Sequence, residues 1–182
     1  LRSCSAFAID VETTSQQPLD AELVGLSFSR HEGEGWYAPL MAPLGQRCLP
    51  RDAALRALKP ILEDDRKKKW GQNLKYDLQV LRRAGITLRG IAFDTMVASY
   101  LIDPLRRQHN LDSLCESYLG LKKTPTESLI GKGRDQITMD RVDLEAVAHY
   151  ACEDADAVVR LVNVFAPRLR EQRCEELFRD VE

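Results

Sequence analysis

In the otherwise apolar run FAIDVETT, carboxylates stand two residues apart at Asp10 and Glu12. Residues i and i+2 of a strand project to one face, so these like charges would sit side by side. Two further pairs have helical spacing, i and i+4, on one side of a helix: Asn73 with Asp77, and Tyr150 with Asp154. If the strand and both helices converge, Asp10, Glu12, Asp77 and Asp154 meet in one pocket with the Tyr150 hydroxyl beside them. Neighbouring carboxylates raise each other's pKa, and four of them need a cationic counter-charge to stay ionised. All-oxygen ligands select hard ions, so the expected cofactors are two divalent metal ions, Mg or Mn. Such ions, about 3.5–4 Å apart, can activate a water and stabilise the leaving oxygen of an in-line phosphoryl displacement.

The elements that must position these residues can be read from pattern and punctuation. Strands are expected at Ala6 to Val11, Leu23 to Ser29 and Gly35 to Pro39, separated by the turn stretches TTSQQPLD and RHEGEG. A helix follows from Asp52, a candidate N-cap, to Leu62, and the basic stretch RKKKW leads through a short strand to Gly71. NLKYDLQVLRRAG puts Leu74, Leu78 and Leu81 on one helical stripe and stops at Gly85. Ile91 to Phe93 reads as a strand, Asp94 opens a helix through Leu101, and LDSLCESYLG forms another. Lys122 to Arg134, with a proline and two glycines, reads as a mobile surface loop. The last long helix is expected from about Asp143 to Phe165, broken or kinked at Pro167. Strands first, then helices alternating with single strands, predict an α/β fold with a mixed sheet.

The 182 residues fit a single domain spanning 1–182, and 44% hydrophobic with 30% charged residues excludes a chain disordered throughout. A net charge of −2 means that any nucleic acid must be held by local patches or metal ions rather than by an overall positive field. Five scattered cysteines suggest neither a zinc site nor a disulfide framework. With no apolar run of membrane length and no signal pattern, the expectation is a cytoplasmic monomer without a membrane partner. The charged ending RLREQRCEELFRDVE reads as a helix leading elsewhere, so a segment of a longer protein is expected. Among the basic residues, Lys132 and Arg134 in the glycine-containing loop are the preferred phosphate-binding candidates, because such a loop can close over a strand.

FAIDVETT, GQNLKYDLQVL, FDTMVASYLIDP, HNLDSLCESYLG and YACEDADAVVRL, in that order, resemble the proofreading 3′ to 5′ exonuclease domain of bacterial DNA polymerase I. That family is a DEDD-type nuclease with tyrosine in its third motif. The resemblance covers nearly the whole chain, including the linking phrases LVGLSF and GKGRDQITMD. It implies a ribonuclease H-like α/β fold and metal-dependent release of 5′-deoxynucleotides from a single-stranded or frayed DNA 3′ end. It also implies a polymerase domain further along the same chain. By the resemblance, Asp10 bridges both ions, Glu12 and Asp154 complete the first metal site, and Asp77 supports the second. Glu12 and Tyr150 orient the attacking water, while Thr13, Asn73 and Tyr76 hold the terminal nucleotide.

His149, five residues before Asp154, would fit the histidine branch of the same superfamily. Five helical residues turn through about 500° and four through about 400°, so a continuous helix favours Tyr150. Two positions depart from the family pattern: Gln16, with Leu19 as a possible substitute, and Thr126 stand where side chains could wedge against terminal bases. The alternatives are a free-standing ribonuclease D-like exoribonuclease and a catalytically weak DNA-binding module.

Overall fold

A computed structural model describes residues 1–180. Strands β1 (Ala6–Thr13), β2 (Leu23–Ser29), β3 (Trp36–Pro39), β4 (Lys68–Gly71) and β5 (Ile91–Asp94) form one sheet in the order β3-β2-β1-β4-β5. The hairpins place β2 antiparallel to both β1 and β3. Beyond them β4 joins β1 in parallel and β5 joins β4 in parallel, as strands separated by helical crossovers do. The mixed α/β sheet expected from the pattern is present, with β1 at its centre.

Helix α1 (Arg51–Leu62) precedes β4, and α2 (Leu74–Arg83) follows it. Helix α3 (Thr95–Ile102) leaves β5; α4 (Leu111–Leu114) continues into a π-helical turn, Cys115–Leu119. Then come α5 (Thr126–Ile130), the long α6 (Leu144–Glu171) and α7 (Glu175–Asp180). Period-2 patterning in β1 divides the core. Phe7, Ile9 and Val11 pack with Leu62 of α1 and with Leu74, Val80 and Leu81 of α2. Ala8, on the other face, packs with Ala98, Leu114, Val158, Leu161 and Phe165, which belong to α3, α4 and α6. Asp10 and Glu12 continue the Ala8 face, and so point toward α6.

Several local expectations are corrected. α1 begins at Arg51 behind Pro50 with no side-chain cap, so Asp52 is a first-turn residue that favours the helix dipole rather than an N-cap. α6 runs through Pro167 to Glu171, because Phe165 and Leu169 are both buried and hold the last turns on the sheet. The chain then breaks at Arg173, in a left-handed conformation, before α7. The stretch 122–134, expected as a mobile surface loop, holds α5 and the start of a 3₁₀ turn, Gly133–Asp135, and its beginning is pinned where the Thr124 N–H donates to the Glu153 carboxylate at 3.0 Å. The five cysteines are free. Among the described residues no helix is long and apolar enough to cross a membrane.

Candidate active site

The acids gather where the central strand ends. Between Glu12, which pairs with Gly25, and Thr13, which pairs with Leu23, the β1–β2 register shifts by a residue. Such an irregularity bends a strand and re-aims its side chains. Across from this point α6 presents Tyr150 and Asp154, one turn apart and both buried. The helix is continuous there, so His149 is left exposed. One ligand oxygen each from Asp10, Glu12 and Asp154 lies within 4.8 Å of the others, a grouping that could hold a metal ion. Asp77, in the first turn of α2, is buried beside this trio.

The electrostatics reflect that crowding. Burial, then Asp154, pushes the Asp10 carboxyl up to about 8, against a lowering by Lys123. Burial followed by Asp10 and Asp154 raises Glu12, and burial followed by Asp10, Asp94 and Glu12 raises Asp77. Asp154 rises only to about 6, because burial is offset by Lys123 and by a hydrogen bond from Tyr150. Glu12 Oε1 and Asp77 Oδ2 are buried without a hydrogen-bond partner. Orphaned carboxylate oxygens in a converging all-oxygen donor set fit a hard divalent cation.

Sequence reasoning missed Lys123, which follows Lys122 in a polar stretch. Its side chain is 3% exposed, and its ammonium is ion-paired with Asp154. The same ammonium lies 4.5 Å from the Tyr150 ring centre. No sequence spacing announces this, because residues 123 and 154 belong to different elements. Tyr150 is also hydrogen-bonded to Thr126 Oγ1 at 2.8 Å, so α5 covers the hydroxyl. Burial, then Asp154 and Glu12, raises the Tyr150 phenol well above its ordinary value. It is therefore neutral at physiological pH and can position a water, but cannot act as a base.

A cleft of about 850 Å³ opens beside Glu12 and Tyr150, lined also by Thr13, Gln16, Asn73 and Tyr76, with Thr126 and Met139 among the rest. The Tyr76 hydroxyl is hydrogen-bonded to Thr13 Oγ1 at 2.6 Å and to the Ser15 carbonyl, which ties α2 to the end of β1. Asn73 takes a left-handed backbone, φ +60°, uncommon for a residue other than glycine. Asp94 holds it there: its carboxylate accepts from the Asn73 N–H at 3.1 Å and the Leu74 N–H at 2.7 Å. Asp94 also caps α3, accepting from the Met96 N–H at 2.9 Å. Lys132 and Arg134 are exposed outside the described cleft lining, and Lys132 is ion-paired with Glu127. Gln16 lines the cleft, whereas Leu19 is 73% exposed away from it. Other basic residues are engaged structurally: Lys67 donates to the carbonyls of residues 1, 2 and 4, and Arg83 to those of Pro18 and Ala21.

The sequence matches the family model described as 3′-5′ exonuclease over residues 1–170. It is 46% identical over 165 residues to DNA polymerase I of Pseudomonas aeruginosa, covering 88% of this chain and 18% of that protein. To DNA polymerase I of Rhizobium leguminosarum it is 37% identical over 187 residues, covering 92% and 18%. The chain thus spans less than a fifth of the length of these curated relatives. Among solved structures, the POL domain of Pol1 from M. smegmatis superposes with a TM-score of 0.74 at 24% identity, over 99% of this chain and 27% of that one. Brucella melitensis NrnC superposes with 0.73 at 24% identity, over 96% and 78%. These likenesses bear out the ribonuclease H-like fold. By its family match and its polymerase relatives, this chain belongs to the 3′-5′ exonuclease family and is an exonuclease domain of the kind carried by DNA polymerase I.

Proposed function

We propose that this domain removes 5′-deoxynucleotides from a single-stranded or frayed DNA 3′ end, with two divalent metal ions, Mg or Mn, at Asp10, Glu12, Asp77 and Asp154. The observation that carries this reading is the convergence of Asp10, Glu12 and Asp154 oxygens within 4.8 Å, with Glu12 also lining an open cleft. When bound, the ions supply counter-charge, an activated water and stabilisation of the leaving oxygen. Asp10 would serve both ions, Glu12 and Asp154 would help hold one, and Asp77 would support the other. The neutral Tyr150 hydroxyl, together with Glu12, orients the attacking water. Thr13, Asn73 and Tyr76 hold the terminal nucleotide, and Lys132 and Arg134 meet the phosphate backbone further along. The relatives' length supports a polymerase domain in the same chain, for which the nuclease would proofread.

The test is degradation of 3′-labelled and 5′-labelled oligonucleotides of one sequence, as DNA and as RNA, with magnesium, manganese or EDTA. Stepwise loss from the 3′ end, mononucleotide products, EDTA sensitivity and faster DNA turnover are expected. Faster RNA turnover would instead favour an exoribonuclease. Persistence of cleavage in EDTA would reject the metal chemistry.

A further inference from the structure

The carboxylate cluster has a cation of its own chain within it. The Lys123 ammonium is ion-paired with Asp154 and stands 3.6 Å from Asp112, whose side chain is 52% exposed. The aliphatic stem reaches it from a fixed backbone. The Leu121 N–H donates to the Cys115 carbonyl at 3.2 Å, and the Thr124 N–H donates to Glu153 on α6 at 3.0 Å. With Tyr150 beneath the ammonium, Lys123 touches two of the residues assigned to the chemistry.

Asp154 is also one of the three residues whose oxygens converge as a metal site. An ammonium and a divalent ion on the same carboxylate repel each other, strongly so inside a protein where the effective dielectric is low. The surface acid Asp112 offers the ammonium a second acceptor outside the converging trio. Glu153, adjacent to Asp154, adds negative charge on the same side.

We propose that Lys123 is a tethered competitor for metal at this site. It neutralises Asp154 in the metal-free protein, and moves onto Asp112 when a divalent ion takes that carboxylate. Metal loading is then an exchange of one cation for another. The free protein is spared an unbalanced Asp154 carboxylate beside the other acids, at the expense of metal affinity. This inference rests on the metal-binding reading given above.

The test is Mn²⁺ titration followed by loss of the free-ion paramagnetic resonance signal, with thermal unfolding in EDTA alongside. Lys123→Met keeps an apolar stem in the buried channel. It is expected to bind Mn²⁺ about tenfold more tightly than the unaltered protein, because the competing charge is gone, and to unfold at a lower temperature in EDTA. Asp112→Asn, at a half-exposed position that folding tolerates, is expected to weaken Mn²⁺ binding a few-fold by removing the acceptor for the displaced ammonium. If Lys123→Met folds, unchanged affinity in it overturns the competition; if it does not fold, unchanged affinity in Asp112→Asn does so. Asp10→Ala separates the two levels. Saturable Mn²⁺ binding that Asp10→Ala abolishes upholds the metal site even if Lys123 proves irrelevant to it. Absence of saturable binding in the unaltered protein would end both readings.

Discussion

The two faces of β1 do opposite things within eight residues. On one, Phe7, Ile9 and Val11 are buried against α1 and α2, and each lowers the free energy of folding. On the other, Ala8 is followed by Asp10 and Glu12, whose carboxyls are raised by burial and by neighbouring acids. Burial of a charge disfavours it as surely as burial of a methyl group favours the fold. The contrast teaches that one strand can be the centre of stability on one side and a stored electrostatic cost on the other, and that the cost marks where a cation belongs.

The strongest way to break the contrast is to substitute each face in turn. Asp10→Ala is expected to lower exonuclease turnover about a thousandfold or more, since on the proposed mechanism it removes a ligand of both ions. The same change should raise the unfolding temperature in EDTA above about pH 8, where the Asp10 carboxyl is ionised and a like charge leaves the cluster. A turnover assay beside a thermal melt reads both, and retained activity would remove Asp10 from the metal site. Ile9→Ala is the converse. It should cost about 2–5 kcal/mol of stability, as large-to-small core changes do, while leaving turnover intact below the melting range. Urea unfolding and activity at low temperature check it.

A pH series in EDTA sharpens the comparison without any mutation. Asp10 and Asp154 are raised to about 8 and about 6 in the folded protein, so the native state binds protons more tightly than the unfolded chain. Their contribution to stability is complete below the unfolded carboxylate range near pH 4 and is lost as pH climbs through 6 to 8. The metal-free melting temperature should therefore fall across that window, and saturating magnesium should flatten the fall. The smallest effect belongs to Tyr150→Phe. Loss of the hydroxyl proposed to orient water should slow turnover about ten- to a hundredfold with the fold retained, read by single-turnover kinetics.

Much of this was legible from spacing. The i, i+2 pair on β1 and the i, i+4 pair on α6 share faces by geometry alone. The tyrosine could be preferred over His149 because helical phase needs only a continuous helix. What escaped depended on contacts across the chain. Lys123 resembles Lys122 in sequence, and only the docking of residues 121–124 on α6 separates a buried ion pair from a surface charge. Asp94 was readable as the start of a helix, but its hold on Asn73 and Leu74 arises from the adjacency of β4 and β5. Pro167 suggested an ending that the buried Leu169 overrides.

Asp94 has a dynamic consequence. One carboxylate accepts from backbone amides at the start of α2 and at the start of α3, so neither first turn can open without exposing acceptor oxygens that the other uses. The amide protons of Leu74 and Met96, on separate helices, should exchange with solvent at similar rates and as one cooperative unit. Asn73, which lines the cleft, would then share its opening free energy with α3, so the rigidity of that rim of the cleft is set partly by a helix outside it.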